Sequence, residues 1–82
     1  MRKSSRSRDE PASPVSGRDA VRAFAKIGYQ ADHQTGSHII LRNVGAPFRR
    51  LTVPDHEELA RGTRRLLIRE AGLTVDGFVA LL

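Results

Sequence analysis

The sequence predicts a small α+β domain with the element order helix, three strands, helix and short helix. An amphipathic segment behind a serine cap opens the domain. Three short segments separated by Gly- and Pro-containing turns follow, and two further capped segments with apolar sides close it. With 82 residues, 39% hydrophobic residues and no cysteine, the chain has material for one modest core and for no disulfide or thiolate site.

Residues 1–15 contain Arg, Ser and Pro and almost nothing apolar, so we expect a disordered arm before a domain at 16–82. The longest apolar runs fall far short of the roughly 20 residues that span a bilayer. The basic N-terminus is not followed by an apolar segment, as a secretory signal would be. These features predict a cytoplasmic protein with no membrane partner.

The net charge is +5, from 14 Lys+Arg against nine Asp+Glu, and only two of the basic residues are Lys. Arginine pairs with phosphate at two points through its planar guanidinium. The composition is therefore compatible with a nucleic-acid partner. It is equally compatible with an ordinary basic surface or with an acidic protein partner.

The first helix is predicted to begin after Ser16, with Asp19 in the first turn, and to stop at Gly28. Its expected apolar side consists of Ala20, Val21, Phe24, Ala25 and Ile27. A basic stripe with a spacing of four residues lies on another side and consists of Arg18, Arg22 and Lys26. We interpret this stripe as a solvated face in preference to a ligand contact.

Three strands are predicted from β-branched content and from the turn residues between them. Their expected ranges are Tyr29–His33, Ser37–Asn43 and Phe48–Val53, with turns at Gln34–Gly36 and Asn43–Pro47 and a stop at Pro54. In the central strand, alternation places Ser37, Ile39 and Leu41 on one face and His38, Ile40 and Arg42 on the other.

A second helix is predicted at Gly62–Ala71, ended by Gly72. Its apolar side consists of Leu67, Ile68 and Ala71, and the opposite side of Arg61, Arg65 and Arg69, with Arg64 adjacent. Thr74 is the expected cap of a last short helix. The inward side of that helix is predicted to consist of Val75, Phe78, Val79 and Leu82.

His38 and Arg42 are the candidate site residues of the central strand. They lie about 13 Å apart at the usual rise of roughly 3.3 Å per residue, so they can reach neighbouring phosphates but not one phosphate together. A single histidine at the start of a strand is more often structural or merely exposed. His33 and His56 lie at no metal-ligand spacing, and we expect no metal and no cofactor. His33 and His38 flank the first turn and can approach each other across a hairpin.

A series of short motifs runs through the domain in a specific order. These are Gly28-Tyr29, Gly36-Ser37-His38, Val53-Pro54 with His56, Glu58-Leu59, Arg61-Gly62-Thr63-Arg64 and Glu70-Ala71-Gly72-Leu73. The series resembles the HicA toxin family, small ribonucleases of toxin–antitoxin pairs, over residues 16–82. The chain departs from the family pattern at Thr35, where a basic residue commonly precedes Gly-Ser-His.

The resemblance implies a double-stranded-RNA-binding-domain-like fold, α-β-β-β-α, with a three-stranded antiparallel sheet packed on helices. It further implies an endoribonuclease that cleaves mRNA and is neutralised by a HicB-type antitoxin. The family's functional histidine maps onto His38.

Metal-independent RNA cleavage fits these residues, because histidine titrates nearest neutrality and can accept or donate a proton. We assign His38 this role and expect Arg42 to support a phosphate. Arg61, Arg65 and Arg69 are candidate contacts to the RNA backbone. The second acid–base group is unassigned between His33 and His56. Two other functions stay open, a non-catalytic RNA-binding module of the same fold and a protein-docking partner.

Overall fold

The computed structural model describes residues 14–43, 45 and 50–82, and the element order is the predicted one. The elements are α1 (Gly17–Ala25), β1 (Gln30–Thr35), β2 (His38–Arg42), β3 (Arg50–Pro54), α2 (Arg61–Glu70) and α3 (Val75–Val79). The strands form one antiparallel sheet in the order β1-β2-β3. The predicted α+β class, the α-β-β-β-α order and the extra C-terminal helix are confirmed.

A capping box starts α1, as its sequence indicates. The Ser16 hydroxyl accepts a hydrogen bond from the Asp19 backbone N–H at 2.9 Å, and the Asp19 carboxylate accepts one from the Ser16 N–H at 3.1 Å. Val15 is buried, and its carbonyl accepts from the Leu59 N–H. The packed part of the chain therefore includes one residue that the sequence assigned to the arm. Residues 1–13 of that arm lie outside the described residues.

A two-residue turn joins β1 to β2, because Thr35 pairs directly with His38. Gly36 has a φ of +57°, a left-handed conformation that favours glycine in tight hairpin turns. The turn was predicted at Gln34–Gly36, but it consists of Gly36 and Ser37 and therefore starts two residues later. Ser37 belongs to this turn and not to the strand.

A β-bulge interrupts β1. Ala31 pairs with Leu41, and the next pair joins His33 to Ile40, so Asp32 is an extra residue on β1. Between β2 and β3 the register is regular, with Leu41 opposite Leu51. The described part of β3 starts at Arg50. The predicted strand residues 48–49 and most of the predicted loop, 44 and 46–47, lie outside the described residues.

One face of the sheet and the three helices enclose the core. Phe24 of α1 is fully buried, and its ring centroid lies 5.9 Å from that of Tyr29 and 5.4 Å from that of Phe78. The sheet contributes Ile39, Leu41, Leu51 and Val53 to the same cluster, and α2 contributes Leu67 and Ile68. All described helices therefore cover the same face of the sheet.

Four single positions differ from the predicted apolar faces. In α1, Ala23 is buried and Ala25 is exposed, because Ala23 is three residues from Ala20 and Ala25 is five. The α3 helix ends at Val79, so its periodicity does not extend to Leu82, which is 47% exposed. Leu81 packs against the core in its place.

Arg64 is also placed differently from the prediction. It was expected beside the exposed arginines of α2, but it is only 7% exposed. Leu67 and Ile68 are three and four residues further along and are buried on the same side. No helix in the described part of the chain is long and apolar enough to cross a membrane.

Candidate active site

The face of the sheet opposite the helices carries the candidate site. Its side chains follow from the strand register, because directly opposed residues of antiparallel strands project to the same side. Within the described ranges, no helix covers this face, which we call the outer face. It consists of Gln30, His33 and Thr35 of β1, His38, Ile40 and Arg42 of β2, and Arg50, Thr52 and Pro54 of β3.

His38 is the first residue of β2 and lies on the outer face opposite Thr35 and Pro54. It is exposed, and its ring has no hydrogen bond to any residue in the described part of the chain. The ring is therefore accessible to a ligand and unengaged.

Arg42 lies on the same face at the other end of β2, as predicted. It is directly opposite Arg50 of β3. Two guanidinium groups on opposed positions repel each other in the absence of an anion, and both are compatible with one extended polyanion. Arg50 was not identified from the sequence, because only the β2–β3 register places it beside Arg42.

Asp32 forms a small polar cluster with two residues of the outer face. Its Oδ2 lies 2.8 Å from Nδ1 of His33 and 3.3 Å from Nε of Arg42. Strict strand alternation would have placed Asp32 and His33 on opposite faces, but the bulge brings both to one face. Asp32 was missed for this reason, since no local sequence signal marks the bulge.

The pKa of Asp32 is lowered from its ordinary value, first by its hydrogen bond with His33 and then by the charge of Arg42. The carboxyl group is therefore ionised at neutral pH. The His33 and Arg42 side chains are about half exposed, at 50% and 56%. The cluster is thus open to solvent and available to a ligand.

His33 and His38 lie diagonally across neighbouring strands. His33 is opposite Ile40, and His38 precedes Ile40 by two residues on the same face. Diagonal positions of this kind are about 7–8 Å apart in a β-sheet. The expectation that the two histidines approach each other across the hairpin is met by this register.

His56 lies in a different environment. It follows β3 in the connector to α2, and its backbone carbonyl accepts a hydrogen bond from the Gly17 N–H at 2.9 Å. Its neighbour Asp55 forms a bidentate ion pair with Arg18 of α1. These contacts join the segment to α1, and no hydrogen bond or ion pair of the described residues joins His56 to the Asp32 cluster.

The predicted basic stripe of α2 does not join this site. Arg61, Arg65 and Arg69 are exposed, but α2 packs on the other face of the sheet.

The basic stripe of α1 makes contacts within the chain. Arg18 pairs with Asp55, Arg22 with Asp19, and Lys26 Nζ donates to the Leu81 carbonyl at 2.9 Å. The interpretation of the α1 stripe as a solvated face accords with these contacts.

No three His, Asp or Glu side chains converge as a metal-ligand set within residues 14–43, 45 and 50–82. Together with Asp32, the outer face offers two imidazoles, one carboxylate and two guanidiniums as its ionisable groups. This set can exchange protons near neutral pH and can bind phosphate.

A family model described as "HicA toxin of bacterial toxin-antitoxin" matches residues 17–73, more than two thirds of the chain. The chain belongs to the HicA toxin family. The match includes the complete sheet and α2 of this HicA toxin and ends before α3. A comparison with curated proteins finds no match.

Membership in the HicA family makes the chain the toxin member of a toxin–antitoxin pair. A protein partner of the antitoxin kind follows from this membership. The resemblance that the sequence motifs indicated is therefore confirmed at the level of the family.

Proposed function

We propose that this HicA toxin is a metal-independent endoribonuclease that cleaves mRNA in the cytoplasm, with His38 in an acid–base role. A HicB-type antitoxin would neutralise it. The observation that carries the proposal is the exposed, unengaged imidazole of His38 on an open sheet face that also holds Arg42 and Arg50. Family membership supports the toxin class. The imidazoles and guanidiniums of the outer face support RNA cleavage as its chemistry.

RNA supplies its own nucleophile for this reaction. The 2′-hydroxyl attacks the adjacent phosphorus while the bond from phosphorus to the 5′-oxygen breaks, which leaves a 2′,3′-cyclic phosphate and a 5′-hydroxyl. The protein has to accept one proton, donate another and stabilise the negative charge of the transition state. An imidazole can perform either transfer at neutral pH.

Arg42 is proposed to bind a phosphate next to the one that is cleaved. It lies about 13 Å from His38 along β2 by the ordinary strand rise, which exceeds the reach to one shared phosphate. Its pairing with Asp32 leaves guanidinium nitrogens other than Nε for a ligand. An RNA strand that runs along β2 would place one phosphate at His38 and a neighbouring phosphate at Arg42.

An antitoxin that covers the outer face would block this reaction. The face has no covering helix in the described part of the chain, and it bears more basic than acidic groups, with Arg42 and Arg50 against Asp32. An acidic surface of the partner would complement it. The charge of the face supports an acidic neutralising partner, and family membership supports a partner of the antitoxin kind.

The His38→Ala variant tests the proposal. We expect cleavage of RNA to fall at least about 10²-fold, because a general acid or base contributes 10²–10⁴-fold. Stability and RNA affinity should change little, because the ring is exposed and makes no described hydrogen bond. Purified wild type and variant are compared on total mRNA, and both are induced in bacteria while growth is followed.

Three results would be informative. Growth arrest and mRNA loss in the wild type alone would support the ribonuclease. Equal cleavage by carefully purified His38→Ala would remove His38 from the mechanism. RNA binding by the wild type without any products would favour the non-catalytic RNA-binding module, and tight association with an antitoxin alone would favour the docking function.

A further inference from the structure

We propose that His33, held by Asp32, is the general acid of the reaction and that His38 is the general base. The assignment rests on the proposed ribonuclease function and adds the second proton-transfer group to it. Asp32 is a positioning residue, since it acts on the substrate only through His33. The observation behind the proposal is the Asp32–His33 contact on the same sheet face as His38.

The spacing of the two histidines suits a single phosphate. Their diagonal positions on β1 and β2 are about 7–8 Å apart. Each imidazole reaches its substrate oxygen by a hydrogen bond of about 2.7–3.0 Å. When one phosphate lies between the two rings, the 2′-hydroxyl of the adjacent ribose can therefore face one ring and the leaving 5′-oxygen the other.

The carboxylate of Asp32 distinguishes the two rings. Its Oδ2 lies 2.8 Å from Nδ1 of His33, so it can accept a hydrogen bond from Nδ1–H, and Nε2 is left to act on the substrate. A carboxylate in this position also stabilises the protonated imidazole. His38 has no carboxylate partner in the described part of the chain. The contact therefore favours His33 as the proton donor and leaves the role of proton acceptor to His38.

Other charges face the same region and oppose this effect. Arg42 of β2 shares Oδ2 of Asp32 at 3.3 Å, and Arg50 of β3 is opposite Arg42. His38 itself becomes positive during the reaction. Asp32 is nevertheless in direct contact with His33, whereas the register places Arg50 a strand further away. The nearest charge to the His33 ring is negative.

The proton balance of the step is complete. Nε2 of His33 gives its proton to the leaving 5′-oxygen as the phosphorus–oxygen bond breaks. His38 takes the proton of the 2′-hydroxyl as the new phosphorus–oxygen bond forms. The products are a 2′,3′-cyclic phosphate and a 5′-hydroxyl, with His33 neutral and His38 protonated. Exchange with solvent restores the starting state.

The pH dependence of kcat/KM is the first test. Activity of the wild type should fall at alkaline pH as His33 loses its proton. His33→Ala should lower cleavage at least about 10²-fold at neutral pH. It should also remove the fall of kcat/KM at alkaline pH, the alkaline limb of the profile. Asp32→Asn should cause a smaller loss and move the limb to lower pH, because the imidazolium loses its anionic neighbour.

His56→Ala is the matched control, since it removes an exposed imidazole of the same chain. Its profile should be that of the wild type. Thermal unfolding of every variant, followed by circular dichroism, reports whether the fold is intact. A wild-type profile for His33→Ala, or loss of the alkaline limb in His56→Ala, would overturn the assignment.

The second test changes the leaving group. An oligoribonucleotide that the wild type cuts is resynthesised with sulfur in place of the bridging 5′-oxygen at the cut. A thiolate leaves without a proton, so the general acid becomes dispensable. His33→Ala should then regain a rate close to that of the wild type, and His38→Ala should not. A merely structural role of His33 would leave its variant slow on both substrates.

The two proposals fail in different ways. If the wild type makes no products, or if His38→Ala cleaves normally, the ribonuclease function itself is lost. If the wild type cleaves, His38→Ala does not, and His33→Ala shows an unchanged profile, only the role of His33 is lost. Rescue of His38→Ala alone by the sulfur substrate would exchange the two roles and overturn the proposal as stated.

Discussion

Gly17 shows how one residue without a side chain permits a close approach between elements. A Cβ built on Gly17 would lie 2.0 Å from the Pro54 carbonyl oxygen and 3.2 Å from Cα of Asp55. The Gly17 N–H also donates to the His56 carbonyl at 2.9 Å. The first residue of α1 therefore packs directly against the backbone at the end of β3 and just after it.

Gly17→Ala should destabilise the protein by about 1–3 kcal/mol, because the obstructing atoms are backbone and must shift. Gly62→Ala is the control, since it lies in the first turn of α2 with no atom within 4 Å of its Cβ position. That change should raise stability by roughly 0.5–1 kcal/mol. Urea unfolding measures both, and equal effects of the two changes would contradict the close-approach argument.

The two larger helices carry basic stripes with the same spacing but in different surroundings. In α1, Arg22 contacts Asp19, and Lys26 contacts the Leu81 carbonyl. In α2, Arg65 and Arg69 are exposed on the side of the helix away from Leu67. We propose that the α2 stripe contacts RNA phosphates beyond the cleaved one, because the sheet separates it from His38.

The double variant Arg65→Gln/Arg69→Gln should weaken RNA binding. It should also reduce the slope of log Kobs against log salt by up to about 2, roughly one for each lost phosphate contact. Arg22→Gln/Lys26→Gln removes the same charge from α1 and should change the slope less. Both are measured on the His38→Ala background so that the RNA stays intact. Equal losses would indicate an effect of net charge alone.

At the scale of the whole molecule, Asp55 links three elements near the end of β3. Its carboxylate accepts two hydrogen bonds from Arg18 of α1 and one from Gln34 of β1, and its N–H donates to the Ser37 carbonyl. The pKa of Asp55 is lowered from its ordinary value, chiefly by the hydrogen bond from Arg18. Folding and ionisation of this carboxyl are therefore linked.

The sign of this linkage predicts acid sensitivity. The Asp55 pKa in the folded protein lies below the unfolded value of 3.8, so its contribution is present above that pH. The contribution is lost as the pH falls through the folded pKa. The unfolding temperature of the wild type should consequently drop below about pH 4, and Asp55→Asn should reduce that drop.

Thermal unfolding between pH 7 and pH 2.5 measures the effect. Glu57→Gln is the control, because it removes one carboxyl from an exposed residue that has no described ion pair. Its unfolding temperature should follow pH in parallel with the wild type. The same acid-induced drop in Asp55→Asn as in the wild type would show that Asp55 is not coupled to folding.

The element order was readable from the sequence because caps and periodicities are local. Ser16 and Thr74 both accept the backbone hydrogen bonds expected of helix caps. The spacing of Leu67 and Ile68 identified the buried side of α2, and the family motifs identified the HicA toxin class. The outer-face location of His38 and Arg42 followed from alternation within one strand.

Other features depended on pairing between strands, which local patterns do not encode. The two-residue turn removed Ser37 from β2, and the bulge moved Asp32 onto the face of His33. The β2–β3 register placed Arg50 opposite Arg42. The sequence by itself thus determined the elements, the family and His38 as the candidate residue. Only the tertiary structure decided which groups share its face, because strand register is set by contacts between segments distant in the chain.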